Sequence, residues 1–187
     1  MSEVTEKVKD YFTSSEFKHD ELMDKLSEFL TVERGGTMLY EAALRHVRDR
    51  EVTEKYREFL GQTRRHEELL SDIIRKLGGD PSRMSSGAKI AHEKAAALLK
   101  TMNETQGMTP DEAEINAIEN IVIAETKDHA DWELLGHIAH RSEDSHLSKL
   151  LKPAVSEVEG QEDEHVSFSK KKMGELALKG LERNGKR

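Results

Sequence analysis

Near its C-terminus the chain reads Glu-Gly-Gln-Glu-Asp-Glu-His-Val-Ser-Phe, and within that stretch Glu162 and His165 stand three residues apart. On a helix this spacing puts the two side chains next to each other on one face. A carboxylate and an imidazole held in that way can bind a first-row transition metal together. Such a site needs further donors, and the rest of the chain must bring them.

The elements available for that task are helices. The 187 residues are enough for one good core and too few for two independent ones, so a single domain spanning 1–187 is expected. Charged residues make up 35% of the chain and aromatics 5%, with three prolines in all. A composition rich in Glu, Lys, Leu and Ala suits long amphipathic helices and is poor for strands. There is no cysteine, which excludes disulfides, thiolate metal sites, cysteine nucleophiles and a rubredoxin-type iron centre. A net charge of −8 argues against nucleic acid as a partner, since that needs a basic face. The lysines at 170–172 and the tail ending in Lys186 and Arg187 read instead as a solvated helix end that suits the helix dipole. No apolar run approaches the roughly 18 residues of a membrane span, and the opening residues do not form a signal peptide. A soluble, cytoplasmic protein with no membrane partner is expected, with residues 1 to about 15 and 182–187 loosely ordered.

Four long stripes carry the helical period. The first runs Leu22, Leu26, Phe29, Glu33, Thr37, Tyr40, Leu44 and Val47 in steps of three and four, predicting a helix over about 16–48. Gly35 and Gly36 sit inside it at a cost of roughly 1 kcal/mol each against Ala. Close approach of another helix or a ligand would explain them, and so would a local break. The second stripe, over about 50–78, is Tyr56, Phe59, Thr63, His66, Leu70, Ile73 and Leu77, ended by Gly78-Gly79-Asp80-Pro81. The short link around 49–52 makes these two helices antiparallel neighbours. Residues 79–109 then hold two loops around a short alanine-rich helix, long enough to cross from one end of a bundle to the other. Thr109-Pro110-Asp111-Glu112 reads as an N-cap with proline at the first helical position. The third stripe, over about 110–141, is Ile115, Ile118, Val122, Glu125, His129, Trp132 and Ala139. After a short turn at 142–145 the fourth, over about 146–181, is Leu147, Leu151, Ala154, Val158, Glu162, His165 and Phe168, with Pro153 marking either a kink or the true helix start.

Each stripe carries polar residues near its middle: Glu33; Thr63 and His66; Glu125 and His129; Glu162 and His165. Buried carboxylates are normally paired, hydrogen-bonded or metal-bound, and several at one level cannot stay ionised without cations between them. One or two divalent or trivalent ions would solve that problem. Taken singly, each residue also has a plainer reading: an acid whose helical register was misjudged, a satisfied core histidine, or, for His129, a hydrogen-bonding neighbour or a buried pair with Glu125. The coincidence of all four helices at mid-length is what favours metal.

With that order of donors the chain resembles the ferritin-like di-iron and di-manganese carboxylate superfamily, with the rubrerythrin and YciF-type small bacterial stress proteins as nearest comparisons. Thr-Arg-Arg-His-Glu-Glu-Leu-Leu and the following Leu-Gly-Gly-Asp-Pro-Ser add to the likeness, which spans about Leu22 to Leu176. The resemblance implies an all-α, antiparallel four-helix bundle with a long crossover between helices two and three. It implies Glu33 and Glu125 as the lone glutamates, His66 as the second-helix histidine, Glu162 with His165 as the last motif, and Tyr40 as a tyrosine beside the site that gives a hydrogen bond or an electron. His129 is a further candidate ligand from the facing helix. The family pattern asks for Glu where this chain has Thr63, three before His66, and threonine is a poor ligand.

Two readings follow. In the first the chain is a redox metalloprotein with one or two Fe or Mn ions, reacting with dioxygen or peroxide as an oxidase, peroxidase or ferroxidase. In the second it keeps the scaffold with a degenerate site and acts by oligomerisation or partner binding. A homodimer is the expected assembly in either case.

Overall fold

The helix boundaries follow local chemistry. The computed structural model describes residues 17–142 and 146–182; the expected loose lead-in before 17, most of the turn at 142–145 and the tail from 183 lie outside the described residues. Among the described residues the chain is all-helical, with five helices and no strand: α1 (His19–Ala43), α2 (Arg50–Lys76), α3 (Ser86–Asn103), α4 (Pro110–Arg141) and α5 (His146–Leu181). Asp49 caps α2 by accepting from the Val52 N–H at 3.1 Å, and Ser85 caps α3 by accepting from Ala88 at 3.1 Å. Thr109 and Glu112 form a reciprocal capping box at α4, with Pro110 next. Gly78 takes a left-handed φ of 81° just past α2, and the Gly79 N–H turns back to the Ile74 carbonyl at 2.9 Å.

Two expectations change in detail, and the alternatives at Pro153 are decided. The first helix ends at Ala43 rather than near 48, because the Arg45 and His46 N–H groups bond back three residues, to Ala42 and Ala43. The helix α5 begins at His146 and runs through Pro153. It also continues past the lysines at 170–172, so these are not a helix end. Lys172 is buried there, ion-paired with Glu51 and with Glu175 at 3.2 Å.

The helix α1 is unbroken through its glycines, and close packing accounts for both. A Cβ on Gly35 would stand 2.8 Å from the Ala95 Cβ of α3, and one on Gly36 would stand 3.2 Å from Thr63 Cγ2 of α2. The two glycines therefore let a helix approach α1 from either side. The helix α1 packs on α2, α3 and α4; α5 packs on α4 and α2; and α3 also touches α4. No helix among the described residues is long and apolar enough to cross a membrane.

The apolar core is in two parts. One cluster joins Leu22, Leu26, Phe29, Leu70, Ile74, Trp132, Leu135, Leu151 and Val158. The other joins Leu39, Tyr40, Tyr56, Phe59, Met102, Ile118 and Ile121, with Phe168 and Met173 against it. Along four helices the gap between the clusters falls at the same place: Glu33 on α1, Thr63 and His66 on α2, Glu125 and Asp128 on α4, Glu162 and His165 on α5. All seven are buried. A polar layer thus lies between two apolar ones.

Candidate metal centre

Four helices deliver donors to this layer, and the donors fall into two groups of three. Glu33, His66 and Glu162 form one; Glu125, Glu162 and His165 form the other. In each, one donor atom per residue lies within 4.8 Å of the other two, and Glu162 belongs to both. His66 Nδ1 is 3.1 Å from Glu162 Oε1 and 3.6 Å from Glu33 Oε1. His165 Nδ1 is 3.1 Å from Glu125 Oε2 and 3.4 Å from Glu162 Oε1. The spacing of three residues between Glu162 and His165 is what brings both onto this face of α5.

Both imidazoles present Nδ1 to the carboxyls, because each Nε2 is occupied at the edge of the layer. His66 Nε2 lies 2.8 Å from Gln161 Oε1, and His165 Nε2 lies 2.7 Å from Gln62 Oε1. An amide oxygen only accepts, so each Nε2 donates to its glutamine; His66 Nδ1 has no hydrogen-bond partner, and His165 Nδ1 lies 3.1 Å from Glu125 Oε2. Burial pushes His66 down to about 4, against the opposing hydrogen bond to Gln161, with His165 adding to the fall. It is therefore neutral at pH 7, the form in which imidazole ligates. The two rings stack at 5.9 Å, and Phe59 lies 4.2 Å from the His165 ring.

The carboxyls are incompletely satisfied. Both Glu162 oxygens, Glu33 Oε2, Asp128 Oδ1 and His66 Nδ1 are buried without a hydrogen-bond partner. Trp132 donates its indole N–H to Glu33 Oε1 at 2.6 Å, which holds that carboxyl in place. Burial, then the charge of Asp128, raises Glu33 well above the usual carboxylate range. Burial, then Glu162 and Glu125, does the same to Asp128. Glu162 is pushed up to about 11 by burial and by Glu125 and Glu33. A cation among these groups would relieve all three shifts together. Oxygen and imidazole donors with open lone pairs, buried and converging, fit a metal ion, and the Glu/His groups could hold one.

The predicted residues divide as follows. Glu33, His66, Glu125, Glu162 and His165 come together. Tyr40 is fully buried beside them, edge-on to His165 at 6.1 Å, and its hydroxyl has no hydrogen-bond partner. Burial, then the charge of Glu125, raises that phenol well above its ordinary value. His129 does not join the layer. It is partly exposed on the outer side of α4, with Nε2 2.8 Å from Asp163 and Nδ1 3.7 Å from Glu133. Four residues from Glu125 it has rotated past the inward face, where Asp128, three residues from Glu125, is the buried side chain. The spacing of Glu125 and Asp128 repeats that of Glu162 and His165, so the signal for Asp128 was present. Gln62 of α2 reaches His165 across the layer, on another helix, a contact that no single helix's spacing reveals. The contact of Gln161 with His66 and that of the inward Trp132 with Glu33 are likewise between helices. Thr63 is buried with its hydroxyl unpartnered and its methyl against Gly36.

No protein-family model matches the chain, and no curated protein matches it. The functional reading therefore rests on the geometry.

Proposed function

We propose that the chain is a ferritin-like four-helix bundle, with α3 in the crossover between its second and third long helices, that binds two iron or manganese ions in the polar layer for redox chemistry with dioxygen or peroxide. The observation that carries this reading is the pair of three-donor groups sharing Glu162, with both Glu162 oxygens buried and unpartnered. Isolated buried carboxyls are expensive, and a carboxylate common to two groups is suited to lie between two ions. The donor set of carboxylates with two imidazoles suits Fe or Mn better than a thiophilic metal.

In this reading Glu33 and His66 would hold one ion and Glu125 and His165 the other, with Glu162 a donor common to both groups. Asp128, against Glu33, supplies the fourth carboxyl that Thr63 lacks, from α4 instead of α2. When bound, the ions would supply one-electron redox chemistry toward an oxygen substrate. The chain's own groups do the rest. Trp132 keeps Glu33 oriented, the apolar clusters on either side keep bulk water out, and the unpartnered Tyr40 hydroxyl has a proton to give toward Glu125.

The test is metal content per chain on protein purified without chelator, then reloaded anaerobically with Fe(II) or Mn(II). Two ions per chain, lost in the double variant Glu162→Ala with His165→Ala, is the expected result. No ion under any loading would end the redox reading and leave a helical scaffold acting through its surface.

A further inference from the structure

The two histidines are held by glutamines in a crossed pattern. Gln62 of α2 contacts His165 of α5, and Gln161 of α5 contacts His66 of α2, at 2.7 and 2.8 Å. The sequence around each is alike: Gly61-Gln62-Thr63-Arg64-Arg65-His66 in α2 and Gly160-Gln161-Glu162-Asp163-Glu164-His165 in α5. Glutamine and histidine are four apart in both, yet neither glutamine serves its own histidine. Each helix therefore provides the histidine of one group and the support for the histidine of the other.

We propose that Gln62 and Gln161 are positioning residues that turn each imidazole's Nδ1 lone pair onto a metal ion, each acting on the ion bound by the opposite helix's histidine. This inference rests on the metal reading above. Without an acceptor at Nε2 the ring is free to carry its proton on Nδ1, and that proton would stand where the ion binds. With the amide oxygen in place, Nε2–H is the stable form and the ring plane is fixed. An amide also differs in kind from the carboxylate that often supports a metal-bound histidine. It accepts the hydrogen bond without adding negative charge, which suits a layer already crowded with carboxyls. Both glutamines are only half-buried, so replacing them leaves the apolar clusters intact.

The experiment is a Mn(II) titration of the full chain, read from the free-ion EPR signal, with Gln62→Leu, Gln161→Leu and the corresponding Glu variants. Each Leu variant is expected to weaken one ion by about ten- to a hundredfold, the usual consequence of losing a histidine's outer partner, and each Glu variant to restore it. The crossed pattern makes a sharper demand, read by double-mutant cycles. Gln62→Leu should add nothing once His165 is Ala, yet keep its whole effect when His66 is Ala; Gln161→Leu should do the converse. General damage to the fold would not produce that crossing, nor be rescued by Glu. Unchanged affinity in the Leu variants, or coupling of Gln62 to His66 on its own helix, would overturn the proposal while leaving the metal reading intact. A wild-type chain that takes up no Mn(II) or Fe(II) would overturn both.

Discussion

Replacing Glu162 by glutamine removes a ligand and a titrating group together while nearly keeping the side chain's shape. Glu162 is 1% exposed, has no partner on either oxygen, and is pushed from 4.5 up to about 11 by burial and by Glu125 and Glu33. In the metal-free chain it therefore holds a proton at pH 7 that the unfolded chain has released. Because the folded value is the higher one, the group's contribution is fully present below about pH 4.5 and is lost as pH rises toward the folded value. Each pH unit in that window costs about 1.4 kcal/mol, so the 2.5 units between 4.5 and 7 come to about 3 kcal/mol. Glutamine carries no such penalty. Metal-free Glu162→Gln should be more stable than wild type by up to about 3 kcal/mol at pH 7 and almost equal to it near pH 4.5. Urea unfolding followed by circular dichroism, with chelator present, at pH 5 and pH 7, measures the difference. Adding Fe(II) or Mn(II) should reverse the order, since a ligand at a thousand times its Kd stabilises wild type by about 4 kcal/mol and the variant lacks the shared carboxylate. A variant no more stable than wild type at pH 7, or one whose advantage is the same at both pH values, would refute the picture of a dry carboxyl layer awaiting cations.

Three further outcomes follow from the same geometry. His129→Ala should leave metal content unchanged by elemental analysis, because His129 lies outside the layer on Asp163. Trp132→Phe should destabilise the metal-free chain by about 2 kcal/mol in urea unfolding, since a donor 2.6 Å from the buried Glu33 carboxyl is lost. It should also weaken Mn(II) binding at the Glu33 and His66 group selectively. Gly35→Ala should lower stability by about 1–2 kcal/mol despite alanine's better helix propensity, because its Cβ would meet Ala95 at 2.8 Å and force α3 away from α1; a thermal midpoint at or above wild type would contradict this.

What could be read from the sequence, and what could not, has a single physical cause. Period and punctuation are local, so the helices could be placed from apolar spacing, the Thr109–Glu112 cap and the Gly78 stop. The inward glutamates and the two buried histidines could be placed too, since a residue's face depends only on its own helix. The errors arose where one helix meets another, or where a register ran on too far. His129 was assigned inward by extending a stripe by four, where the Glu-x-x-His spacing next door already pointed to a step of three and so to Asp128. The glutamines were invisible because each looks harmless on its own helix: half-buried, polar, and four residues from a histidine it never touches. The paired glycines were ambiguous because only the positions of Ala95 and Thr63 show that α1 needs them. The same reasoning applies to Thr63. A ligand count taken helix by helix finds a carboxyl missing from α2, whereas a count taken across the layer finds four carboxyls, with Asp128 on α4 making up the number. Four buried carboxyls share the layer, whichever helix carries each. A vacancy at one position of a motif is therefore weak evidence against a site, and the layer as a whole is the unit on which the metal reading stands or falls.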